Sequence, residues 1–272
     1  MSSPAEWLRP DWQVAGIGAL MTTRAGGCSA APFDSMNVQK GGGDASEAVA
    51  RNRARLAEAI GRTPVFICQV HGTSVVRLTP ADAVPGAPIH TADASVTTDP
   101  DIACAIQVAD CLPVLFAAPE ARGVGAAHAG WRGLAAGVLE ATIDTLCEAA
   151  RCQPGELQAW IGAGIGPTRF HVGADVVEAF GGVGSTASSA ARTPANGRSP
   201  GDTSTARFVP EAHGKWLANL PLLARDRLQA AGVRSITGGT WCTVSEPSRF
   251  FSFRRDRVTG RMAAVTWLDV RR

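Results

Sequence analysis

Between residues 92 and 133 the chain passes through a succession of short runs that are apolar at nearly every position. ASV (94–96), IACAIQV (102–108) and LPVLFAA (112–118) are followed by GVGAAHAGWRG (123–133), a strand running into a glycine turn. A strand with one wet face alternates apolar and polar residues, because successive side chains point to opposite sides. A strand that is apolar throughout must be covered on both faces. Several such strands require stacked layers, and 272 residues are enough to build them. Helices and strands alternate irregularly along the rest of the chain, which predicts one mixed α/β (α+β) domain over residues 1–272 rather than a regular parallel array.

The other segments fill in this outline. Residues 21–44 are rich in Gly, Ser and Asp and read as a long loop. A helix is expected from Ser46 to Ile60, carrying Val49, Leu56 and Ile60 on one side and ending at Gly61. VFICQV (65–70) and residues 74–78 read as strands, residues 134–150 as a helix and LQAWIG (157–162) as another strand. Further helices are expected at 174–180 and 213–232, with strand-like segments SITGG, RFFSFRRD and MAAVTWL at the end. Residues 181–204 hold almost no large apolar side chain; they cannot offset their ordering entropy and are expected to be a flexible insertion.

Composition narrows the function classes. Twenty-six basic against 24 acidic residues leave a formal charge of +2, with no long basic run, which argues against nucleic acid as a partner. No apolar stretch reaches the roughly 18 residues of a membrane helix, and the first residues do not resemble a secretory signal, so a cytoplasmic protein is expected. Seven cysteines form no CxxC pair, and Cys104 and Cys68 read as core filler.

Five histidines are present, and two share a setting. His71 closes FICQV just before Gly72, and His128 closes GVGAA just before Ala-Gly-Trp-Arg-Gly; Cys111 follows IQVAD at another strand junction. Two imidazoles and a thiolate suit zinc, and three protein ligands leave a fourth position open, as in catalytic sites. Their wide separation in sequence matches no compact zinc motif, and a lone histidine at a strand end is more often a hydrogen-bonded structural residue, so spacing alone does not decide for a shared site. Cys111 paired with a histidine also reads as a thiol nucleophile. The glycines of AHAGWRG, with Arg132, suit either an anion at a helix start or tight strand-to-helix packing. Asp110 could orient a ligand, move a proton or cap a turn, and His90 and His213 receive no role.

The segments TTRAGGCSAAPFDSMN, ARNRARL, QVHGTSVV, TADASVTTDPDIACAIQVADCLPVLF, AAHAGWRGLAAGVLE and WCTVSEPSRFFSFRRDRVTGRMA, in that order, resemble the laccase-domain family, also called the multicopper polyphenol oxidase or purine nucleoside phosphorylase family. The resemblance runs from about residue 16 to 268 outside the insertion. It implies a layered α-β-β-α fold with mixed sheets and a zinc site of His71, Cys111 and His128, with copper as a possible substitute. It also implies substrate or phosphate contacts from Asn37 and Arg53. The family commonly has SLNLG followed by a histidine, where this chain has SMNVQ and then Gly41, and His171 stands after Phe170 where a glutamate is usual.

The activity so implied is phosphorolysis of adenosine, inosine or methylthioadenosine, with adenosine deamination as a second activity, by a monomer or homodimer acting on purine nucleosides and phosphate. An amidase-like enzyme editing peptidoglycan muramyl precursors is an alternative that the same resemblance permits. A copper-dependent polyphenol oxidase is another, but five scattered histidines cannot build several copper centres. Nothing in the sequence supports a non-catalytic binding protein.

Overall fold

The computed structural model describes residues 7–12, 14–182 and 205–269. The insertion expected at 181–204 therefore lies, from residue 183 onward, outside the described residues. The strands in chain order are β1 (Ile17–Met21), β2 (Thr63–Phe66), β3 (Val75–Arg77), β4 (Ala94–Thr97), β5 (Ile102–Val108), β6 (Leu112–Ala117) and β7 (Val124–Ala129). They continue with β8 (Gln158–Ile161), β9 (His171–Val172), β10 (Phe208–Pro210), β11 (Trp216–Ala218), β12 (Ser235–Gly238) and β13 (Met262–Leu268). The helices are α1 (Ser46–Ile60), α2 (Trp131–Ala136), α3 (Val138–Ala150), α4 (Ala174–Ala179), α5 (Leu220–Ala230) and α6 (Phe253–Asp256).

Two mixed sheets dominate. One runs β1-β13-β5-β2 and the other β12-β8-β6-β7-β4-β3, with a small β10-β11-β9 sheet beside them. Burial resolves the large sheets into layers. Leu56 and Ile60 of α1 pack with Ala103 and Ala105 of β5, whereas Cys104 and Ile106 from the same strand pack with Leu115, Val124 and Ala126 of the other sheet. The outer face of that second sheet carries Val114, Phe116 and Ile161 against Ile143 and Leu146 of α3 and Leu223 and Leu228 of α5. The order α-β-β-α follows, in one domain. It explains why these strands are apolar on both faces: each lies between two covering layers. Cys104 is fully buried and desolvation pushes its thiol up to about 12, as befits core filler. Among the described residues, no helix is long and apolar enough to cross a membrane.

Four local expectations need correction. The helix read over 134–150 begins earlier, at Trp131, and is broken by Gly137, whose φ of 102° closes α2 before α3 starts. The helix read over 213–232 begins only at Leu220; Asn219 caps it, accepting from the Leu222 amide, and Pro221 sits in its first turn. Trp216–Ala218 is instead a strand bonded to Phe208–Pro210 and His171–Val172. In RFFSFRRD, Phe250 and Phe251 are buried and Ser252 then caps the short helix α6, which replaces the expected strand-like segment. Finally, β2 spans Thr63–Phe66 rather than 65–70, and Cys68 is exposed, bridged to Thr91, rather than core filler.

Candidate metal centre and its cavity

β6 and β7 pair with Leu112 opposite Ala129 and Pro113 opposite His128, so Cys111, immediately before β6, meets the end of β7. His71 arrives from a turn rather than from a strand end; its φ is 63°. The three ligand atoms of His71, Cys111 and His128 all lie within 4.8 Å of one another, with Cys111 Sγ 3.7 Å from His71 Nε2. The imidazole rings meet edge to face, 4.7 Å between centroids. His128 is buried, Cys111 half-buried and His71 exposed, so the group opens toward one side.

The glycines of the AHAGWRG turn make this approach possible. A Cβ on Gly130 would lie 2.8 Å from a His71 ring carbon and 3.0 Å from Cys111 Sγ, and one on Gly133 would meet the Gly72 carbonyl at 2.8 Å. Between the two readings of these glycines, the geometry supports close packing. Arg132 is exposed and lies over the Trp131 ring, 4.3 Å from its centre, and Trp131 packs against the core beneath α3.

A residue without a predicted role organises the site. Asp93, fully buried, accepts from His128 Nδ1 at 2.8 Å and from the amides of Val70, His71 and Gly72 at 3.1, 2.8 and 2.6 Å. One carboxylate thus holds the His71 turn and directs the His128 ring, leaving Nε2 of His128 as its free ligand atom. Burial opposes the charge on Asp93, but these bonds outweigh it and hold its pKa low. Burial likewise opposes the thiolate of Cys111, yet the neighbouring His128 and His71 bring it down to about 6. For His128 desolvation favours the neutral ring, and Asp93 and Cys111 overcome it, raising the imidazole to about 9. The metal-free site is therefore a thiolate–imidazolium pair near neutral pH. Asp110, beside Cys111 in sequence, serves elsewhere. It accepts from Thr243 Oγ1 and from the Arg254 amide, both at 2.6 Å, and so ties the turn to α6.

The group forms part of the wall of a cavity of about 710 Å³. Arg53, Lys40 and Arg261 bring positive charge to the same cavity, and Gln107 on its wall has a buried side-chain oxygen without a partner. Arg53 lies 3.9 Å over the Phe66 ring and donates to the Val38 carbonyl; burial lowers its pKa to about 10. Asn37 is not brought to the cavity wall. It is fully buried, donating to Asp44 and accepting from the amides of Gln39 and Arg261, and so shapes the loop behind Arg53.

The donor set fits a metal ion. A tetrahedral zinc with bonds of about 2.0–2.3 Å needs ligand atoms roughly 3.3–3.7 Å apart. The Cys111–His71 separation already falls at that range, and the carboxylate behind His128 is the usual partner of a ligating imidazole. Fold and site together define a layered mixed-sheet α/β protein with a His–Cys–His group able to hold a metal at the edge of a charged cavity.

The chain belongs to the family described as multi-copper polyphenol oxidoreductase laccase, which matches residues 18–269. It is 44% identical over 266 residues to a purine nucleoside phosphorylase of Pseudomonas aeruginosa, covering 97% of this chain and 98% of that one. It is 43% identical over 265 residues to purine nucleoside phosphorylase YfiH of Escherichia coli, covering 95% and 97%. Among solved structures, YlmD from Geobacillus stearothermophilus superposes with a TM-score of 0.83 at 32% identity, over 98% of both chains. A Neisseria meningitidis protein does so with a TM-score of 0.82 at 42% identity, over 97% of this chain and 99% of its own.

Asp93 was missed because an aspartate before a strand has the same local signature as Asp110: a small acidic residue at a turn. Only the pairing of β4 with β7, which sets Ala94 opposite Ala127, brings it to His128.

Proposed function

We propose that the protein is a zinc-dependent purine nucleoside phosphorylase acting on adenosine, inosine or methylthioadenosine. The observation that carries this reading is the placement of the His71–Cys111–His128 group and three cations in one cavity, in a chain whose relatives are named purine nucleoside phosphorylases. Phosphorolysis joins a phosphate oxygen to C1′ of the sugar as the bond from C1′ to the base breaks, and the base takes up the proton that phosphate brings, giving the sugar 1-phosphate and the free purine. It needs a place for a polyanion, which Arg53, Lys40 and Arg261 supply, and a walled site that disfavours attack by water. When bound, zinc supplies Lewis acidity at the wall of that cavity. Asp93 fixes the ring and tautomer of His128, and Gly130 leaves room for His71 to approach Cys111. Adenosine deamination is a second activity of the same pocket, in which water adds at the amino-bearing C6 of adenine and ammonia leaves, giving inosine. The same three residues would hold copper if it replaced zinc, but five histidines with one His–Cys–His group among the described residues do not make a multicopper oxidase.

Metal stoichiometry and phosphate-dependent release of hypoxanthine from inosine test the proposal together. Cys111→Ala removes the anionic ligand, and both bound zinc and turnover should collapse while the fold persists. Cys104→Ala, in the core between the sheets, should cost about 1 kcal/mol of stability and leave both intact. Full turnover by metal-free Cys111→Ala protein would refute the mechanism.

A further inference from the structure

The cavity contains a second aspartate–histidine pair, separate from the metal group. His90 Nε2 lies 2.7 Å from Asp82 Oδ1. The other oxygen of Asp82 accepts from the amide and hydroxyl of Thr79, at 2.8 and 3.0 Å, so the carboxylate is held at both ends. The backbone of His90 is held as well: its carbonyl accepts from the Cys68 amide at 2.8 Å, and Ala92 donates back to the Cys68 carbonyl. With Nε2–H committed to the carboxylate, a neutral ring carries its lone pair on Nδ1, which has no partner among the described residues. His90 does not belong to the metal-competent group.

The surroundings indicate what this acceptor faces. Pro88 and Ile89 line the cavity next to His90, and Ile89 is 67% exposed. Phe253 lines it too, with 46% of its surface exposed and the Arg261 and Arg257 guanidiniums 5.6 and 6.0 Å from its ring centre. The cations of the same cavity, Arg53, Lys40 and Arg261, serve the phosphate, whereas His90 and the apolar side chains of Pro88, Ile89 and Phe253 offer an oriented imidazole among apolar surface. That setting suits a flat heteroaromatic ring, whose faces lie against apolar groups and whose edge offers one N–H. Adenine offers such a donor in its 6-amino group and hypoxanthine in N1–H.

We propose that His90, oriented by Asp82, accepts a hydrogen bond from the edge of the purine base, with Phe253 and Ile89 flanking its faces; this rests on the phosphorylase reading and adds its base-recognition site. A site that accepts a hydrogen bond discriminates against a ligand lacking the donor, because its acceptor is then left unpaired.

The test is calorimetric binding of free adenine and of unsubstituted purine, which lacks the 6-amino group, to zinc-loaded protein. Native protein should bind adenine about tenfold or more tightly than purine. His90→Phe should remove most of that preference, weakening adenine about 10- to 100-fold and purine less than about threefold, with zinc content and melting temperature unchanged. His90→Gln, which keeps an acceptor, should recover part of the preference. Asp82→Ala, which releases the ring, should lose part of it. Equal weakening of both ligands in the His90 and Asp82 variants, or no weakening of either, overturns the base-recognition role. Phosphate-dependent turnover of inosine by the native protein is measured in parallel. Its presence alongside either result leaves the phosphorylase reading standing, and its absence with every purine nucleoside overturns both.

Discussion

Replacing Asp93 with asparagine tests the claim that one buried carboxylate assembles the metal centre. The substitution keeps size and shape but exchanges one acceptor oxygen for an NH2 group. In the native protein Oδ1 accepts from His71 N and His128 Nδ1, and Oδ2 accepts from Val70 N and Gly72 N. With its NH2 toward Val70 N and Gly72 N two hydrogen bonds are lost; turned the other way it loses the His71 bond, and keeps one to His128 Nδ1 only if the imidazole moves its proton to Nε2, the atom a metal would need. The site is fully buried, so water cannot replace them. Leaving a buried donor unpaired costs about 1–3 kcal/mol, so one or two lost bonds put the loss of stability at about 1–6 kcal/mol. The His128 ring also loses the carboxylate that orients it, and zinc affinity should fall about 10- to 100-fold. Asp110→Asn is the control: its two partners are a hydroxyl, which can reverse and accept from NH2, and an amide, which the remaining oxygen can serve. Denaturant melts and zinc competition against a chelator read both effects. If Asp93→Asn retains native stability and zinc affinity, or if Asp110→Asn loses as much, the reasoning is wrong.

Zinc binding should also depend on pH in a defined way. In the metal-free protein Cys111 titrates near 6 and His128 near 9, whereas a ligand set needs thiolate and neutral imidazole. Between those values one proton, from His128, must leave per metal, so affinity should rise about tenfold per pH unit; below about 6 the thiol proton must leave too and the slope should steepen. A chelator titration from pH 5 to 9 checks this, and a flat profile would contradict it. Gly130→Ala should expel zinc, because its Cβ would fall 2.8 Å from the His71 ring; metal analysis of the purified variant settles the point, and full zinc content would show that the turn can yield.

Much of the layered fold was legible in the sequence, since burial leaves a local mark. Strands β5, β6 and β7 read as apolar on both faces and are covered on both, and α1 spans Ser46–Ile60 as expected and ends at Gly61, although Ser46 is its first residue and Ala45 its cap. Cys111 and His128 could be picked because they stand beside such strands. Element ends were less legible where short-range chemistry competes with the apolar pattern. Asn219 and Pro221 set the start of α5 well past His213, and Gly137 divides what reads as one helix.

The apolar patterning of the chain dictates the set of doubly covered strands, and with it the layering and the strand-edge positions of two candidate metal-binding residues. The tertiary structure alone decided which polar residues face one another. Asp93 serves the metal centre and Asp110 a loop, Asn37 stays behind the wall while Arg53 reaches the cavity, and His90 finds Asp82. Apolar burial is written in the periodicity of each segment, whereas a hydrogen bond between distant residues depends on strand register and turn geometry. No local pattern encodes that.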